Sequence, residues 1–132
     1  MIRLSKRTDY GLLALRYLAL LPDGGYRSAR EIAAEYRIPP ALLAKLLQRL
    51  ARRGLVASHH GTKGGYQITR PAATITLGEV IEAIEGPVAL TECLHASRGP
   101  CAQQENCTVR QPLQAVQKKI AEVLARTTLG DL

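Results

Sequence analysis

Apolar residues recur along this chain with two different periods. Tyr10, Leu13, Ala14, Tyr17, Leu20 and Leu21 fall at helical steps after Ser5, and the stretch PDGG at 22–25 ends the pattern. A first amphipathic helix is predicted there, with those six residues inward. Ser28 and Glu31 have the spacing of a capping box, in which hydroxyl and carboxylate satisfy each other's free amides. The box opens a short helix with Ile32, Ala33 and Tyr36 inward. Arg37-Ile38 breaks it, and Pro39-Pro40 starts a third helix that runs to Arg53 and stops at Gly54. The period then changes to two. Residues 55–58 and 66–69 read as strands around a glycine-rich turn at 59–65. Helical spacing returns with a second capping box, Thr76 and Glu79, ahead of Val80, Ile81 and Ile84, and Gly86-Pro87 closes that helix. A last helix opens at Pro112, with Leu113, Val116, Ile120 and Val123 on a three–four spacing and Leu124 beside them. That spacing suits the seam of a two-helix contact, and a homodimer is expected from it.

Two short helices joined by a few residues make a helix-turn-helix, and a following hairpin makes it winged. The expected class is therefore mostly α with a small β-hairpin: a winged helix-turn-helix plus a long C-terminal dimerisation helix. The third helix has two faces. Leu43, Leu46, Leu47 and Leu50 point to a core, while Ala41, Lys45, Gln48, Arg49 and Arg52 gather roughly opposite. A small residue followed by amide and basic side chains suits a major groove, where Arg and Lys donate to guanine and Gln pairs with adenine. An ordinary solvated face carries the same pattern. Ser28 and Arg30, at the start of the preceding helix, join the DNA-facing set. So do His59, Lys63, Gly64, Gly65 and Tyr66 of the wing, whose glycines are expected to let backbone approach phosphate. His59 and His60 are adjacent on a strand and so point to opposite faces, which makes a metal site there a poor fit.

Charge sharpens this picture. Residues 1–70 hold thirteen basic against four acidic residues, a balance of +9, whereas residues 71–132 hold five against seven, a balance of −2. A polyanion partner is expected for the first half alone, and double-stranded DNA fits it. The apolar run from Leu12 to Leu21 is interrupted by Arg16 and too short to span a bilayer. No membrane association and a cytoplasmic location are therefore expected. For an enzyme with a cysteine nucleophile and His95 as base, nothing in the sequence supplies a pocket, an oxyanion device or a third residue.

All three cysteines, Cys93, Cys101 and Cys107, fall in the stretch CLHASRGPCAQQENC at 93–107. They lie among Gly, Pro, Ser, Asn and Gln rather than on an apolar helix face, so they do not read as core residues. Gaps of seven and five fit zinc knuckles poorly. Three soft ligands on a wide loop suit a larger inorganic cluster, and a thiol–disulfide switch is the other reading.

Taken together, RLSKRTDY at 3–10, the box at 28–31, the helix around Leu43–Leu50, Gly54-Leu55-Val56, GTKGGY at 61–66 and the cysteine loop resemble the Rrf2 family of bacterial transcription regulators. GPVALTEC at 86–93 looks most like its regulators of iron–sulfur cluster assembly operons. The resemblance implies a homodimer whose operator binding is controlled by an iron–sulfur cluster, [2Fe-2S] or [4Fe-4S], held by Cys93, Cys101 and Cys107. In some members a histidine three residues after the last cysteine is the fourth ligand; Arg110 stands there and cannot serve. In others a carboxylate near the start of the first helix, from the partner subunit, completes the set, and the matching residue is Asp9. Glu92, His95 and Glu105 are local alternatives. The first two cysteines are one or two residues further apart than is usual in the family. On this reading residues 1–75 form the DNA-binding domain, and 76–132 hold a helix, the cluster loop and the dimerisation helix. Nitric oxide or thiol redox sensing at the same cysteines is the alternative.

Overall fold

The computed structural model describes residues 3–22, 24–90 and 108–132. The three cysteines lie outside the described residues. Five α-helices and one hairpin follow in the order α1 (Lys6–Ala19), α2 (Ala29–Tyr36), α3 (Pro40–Arg52), β1 (Val56–His59), β2 (Gly65–Ile68), α4 (Leu77–Glu85) and α5 (Arg110–Arg126). Short 3-10 turns at Ala72–Thr74 and Leu129–Asp131 complete the described elements.

The helix starts are set by local chemistry. Ser5 caps α1 by accepting from the Thr8 amide, and both expected capping boxes form, at Ser28–Glu31 and Thr76–Glu79. Pro40 opens α3, and α2 ends on Arg37 in the left-handed region at φ 54°. A non-glycine residue there costs on the order of 1 kcal/mol. Burial of Ile38 just beyond it anchors the turn that reverses the chain into α3.

Leu43, Leu46, Leu47 and Leu50 of α3 are all buried, and they pack with Ile32, Ala33, Val80 and Ile84 in one core. On α1 the buried face differs from the expected one. Thr8, Gly11, Ala14, Leu15 and Leu18 are inside, whereas Leu13 and Leu20 are exposed. The reason is close helix packing: a Cβ at Gly11 would lie 2.3 Å from Ile84 Cδ1, so α1 meets α4 along its small-residue side.

The hairpin pairs Val56 with Ile68 through His59 with Gly65, and both strands lie one residue nearer the turn than the sequence reading places them. It gains a third partner. Tyr66 exchanges two backbone hydrogen bonds with Arg27, of 2.8 and 3.1 Å, which ties the wing to the segment before α2. The C-terminus returns to residues 75–77: the Leu77 amide donates to Thr127 and the Leu129 amide to Ile75. Ile75 and Leu129 thus share the core with Leu15 and Leu18. By contrast α5 buries none of its residues, and Val116 and Val123 are 46% and 62% exposed. No helix among the described residues is long and apolar enough to cross a membrane.

Candidate nucleic-acid interface

The core side of α3 fixes its outer side. With four leucines buried, Ala41, Lys45, Gln48 and Arg52 are left exposed. The first turn of α3 contains no acidic residue, and its cap residue Pro39 makes no side-chain bond. The amides at that end therefore leave a partial positive charge facing outward, favourable to phosphate.

Not every expected contact residue presents a free group. Arg30, Lys45, Gln48, Arg52 and Lys63 have no side-chain partner among the described residues. Ser28 is occupied by its capping box, accepting from the Glu31 amide at 3.1 Å and donating to its carboxylate at 3.2 Å. Arg49 turns away along the protein, where its Nη1 donates to the Ile84 carbonyl at 2.7 Å.

In the wing, His59 stacks on Tyr26 with ring centroids 4.7 Å apart and planes 22° apart. Gln67 donates from its amide nitrogen to the Gly24 carbonyl at 2.6 Å, which leaves its oxygen for His59 Nε2 at 2.9 Å. His59 Nε2 is therefore the donor of that bond. Gly64 and Gly65 are required inside the chain. A Cβ on Gly64 would lie 2.5 Å from the His59 carbonyl oxygen, and one on Gly65 would lie 2.5 Å from the Arg27 carbonyl group. Their close approach is to protein backbone, a different reason from the phosphate approach expected above. Tyr66 packs in part against the core.

Sequence reasoning missed Tyr26, Arg27 and Gln67, which hold the wing in place. An aromatic isolated in the polar stretch GGYRS at 24–28 was the available signal for Tyr26. The single-residue bridge at Arg27 has no periodicity to read.

At the other end, Asp9 lies in the first turn of α1, half-exposed, beside Lys6, Tyr10, Leu13 and Arg16. Its carboxylate forms no side-chain hydrogen bond or ion pair with another described residue. Among the described residues, no three His, Cys, Asp or Glu side chains converge as a metal site. Glu92, His95 and Glu105 lie with the cysteines outside the described residues. Gln117 of α5 accepts from the Leu90 amide at 2.9 Å, tying the chain at 90 to the last helix.

A helix-turn-helix with a pinned hairpin wing and a basic recognition helix defines a winged-helix DNA-binding protein. Residues 4–132 match the family model Rrf2, described as an iron-dependent transcriptional regulator. The chain belongs to the Rrf2 family, whose members are DNA-binding transcription regulators and not enzymes. It is 35% identical to protein aau3 of Rhizobium meliloti (strain 1021), over 99% of this chain and 84% of that one. It is similar to the structure of CymR, the global cysteine regulator of B. subtilis, with TM-score 0.74, 29% identity and 99% and 95% of the two chains covered. IscR of T. potens is similar at TM-score 0.72 and 28% identity, covering 98% and 85%.

Proposed function

We propose that this regulator binds its operators as a homodimer under the control of an iron–sulfur cluster held by Cys93, Cys101 and Cys107. In this reading the cluster's fourth ligand is Asp9 of the opposite protomer, and the genes controlled are those of iron–sulfur cluster assembly. The observation that carries it is the gathering of all three cysteines between α4 and α5 in a chain of this family. Donor chemistry fits: three thiolates and one carboxylate suit iron better than they suit zinc at this spacing. Asp9 supports the assignment because its carboxylate is free of other described partners. When bound, the group supplies a cross-link among four side chains that is sensitive to oxidants and to iron supply.

The protein's own residues do the DNA work. Lys45, Gln48 and Arg52 read the major groove, Arg30 and Lys63 meet phosphate, and the rest of the wing holds Lys63 in place. Residues 1–75 carry that reading surface, while 76–132 carry the sensor and the dimer helix. Changing the ligation at the cysteines changes the relative setting of the two recognition helices, and only such a differential fit alters affinity.

The test is anaerobic purification followed by visible absorption, iron and sulfide analysis, and operator binding at one salt concentration. A coloured protein with both elements is expected, with an operator affinity unlike that of the apo form and of each Cys→Ala variant. Asp9→Ala is expected to lose the chromophore faster in air. Thiol switching is the second reading, favoured by the similarity to Staphylococcus aureus CymR, whose structure is known in an oxidized form. It predicts a colourless protein with a reversible disulfide, and that result would displace the cluster.

A further inference from the structure

Arg49 sits on the recognition helix among residues proposed to face DNA and is itself exposed, yet its guanidinium is bonded to the protein's own backbone, at the Ile84 carbonyl. We propose that Arg49 is a positioning residue rather than a DNA contact. It holds α3 on the carboxyl end of α4, and residues 84–90 are the route by which the state of the C-terminal half reaches the DNA-reading face. The second half of this inference rests on the regulatory reading above.

Three observations meet at Ile84. First, its carbonyl belongs to the last turn of α4, where carbonyls lack helical partners. Gly86 leaves the helix at φ 85°, a conformation suited to glycine, and its amide returns to Glu82. The Ile84 oxygen is therefore left for Arg49, and the cation complements the negative helix end. Among the described residues this is the one side-chain hydrogen bond between α3 and α4. Second, the Ile84 side chain is buried and fills the space beside Gly11, two residues beyond Asp9. One residue thus touches α1 through its side chain and the recognition helix through its backbone. Third, the chain continuing from it is bound to α5 where the Leu90 amide donates to Gln117. A movement of α5 is passed to residues 86–90, to the Ile84 carbonyl and to Arg49.

The neighbouring surface leaves room for that movement. A cleft of about 420 Å³ lies between the ends of α3 and α4, lined by Arg49, Arg52, Arg53, Glu82 and Glu85 among others. No ion pair within the described residues closes it. Arg52 is free there to serve DNA, and Arg49 is not.

The experiment compares full-length wild type with Arg49→Gln and Arg49→Lys on two probes: a random-sequence duplex and an operator enriched from a randomised pool. Affinities are measured over a salt series, for protein prepared anaerobically and after exposure to air, and corrected for the active fraction. Amide exchange is followed at residues 86–90. For Arg49→Gln we expect an unchanged salt slope on the random duplex, faster exchange at 86–90, and an anaerobic-to-air affinity ratio on the operator reduced at least about threefold. Arg49→Lys, which keeps the charge and a donor, should fall between. A slope reduced by about one, with exchange unaltered, makes Arg49 a phosphate contact and overturns the proposal. An unchanged slope with an unchanged affinity ratio overturns the route. A wild type whose affinity is equal in both preparations sinks the regulatory reading instead, and the positioning role is then decided by slope and exchange alone.

Discussion

Glu79 carries two duties at once. It completes the capping box of α4 with Thr76, and it pairs with Arg70 at the exit of the wing. Burial raises its carboxyl, but hydrogen bonds from Arg70 and the Thr76 amide, with the Arg70 charge, outweigh that and hold it below the ordinary value of 4.5. A carboxylate depressed in the folded state stabilises fully above the unfolded pKa, and its contribution is lost as pH falls through the folded one. Stability is therefore expected to decline below about pH 4.5, and Glu79→Gln should flatten that decline, as read from urea midpoints at neutral pH and about pH 3. Gly65 is held by contact rather than by charge. Gly65→Ala would drive a Cβ into the Arg27 backbone and is expected to cost roughly 1–3 kcal/mol, seen as a lower melting temperature. The glycine itself was legible in the sequence, but its reason was not, because Arg27 is 38 residues away along the chain.

At the scale of elements, helices with strong local signals were legible and their faces were not always so. Both capping boxes, the proline start of α3 and the leucine stripe inside it appear where the sequence places them. On α1 the apolar residues run nearly all round, so one period fits several faces, and contact with Ile84 selects the face containing Gly11. The hairpin was legible from alternation, but its attachment through Tyr26, Gln67 and the Arg27 bridge was not. That attachment gives the wing a fixed place, from which Lys63 is proposed to meet the DNA backbone. Lys63→Ala is expected to weaken operator and random DNA alike and to lower the salt slope by about one. Gln48→Ala should instead cost about 1–3 kcal/mol on the operator and little on random DNA. Equal losses on both probes would contradict the placement of α3 in a groove.

For the whole molecule, the uncovered side of α5 is the main consequence. A 17-residue helix with no buried residue, and with Val116 and Val123 both exposed, gains little from its own chain. In the proposed homodimer a second copy covers that side, as the three–four apolar spacing leads one to expect. Val116→Glu with Val123→Glu is therefore predicted to give a monomer in sedimentation and to weaken operator binding at least about tenfold, because one winged helix reads only half a two-fold site.

The sequence by itself determined the elements, the inner face of the recognition helix, the charge division and the family, since each is written in local spacing or composition. It also determined that three cysteines share one short segment. Tertiary structure alone decided which basic and polar groups are free. Arg49 and His59 look like Lys45 and Arg52 in a list of residue types, but a carbonyl and a glutamine claim them. Those claims come from helix ends and loops brought together by the packing of a core, and periodicity carries no trace of them.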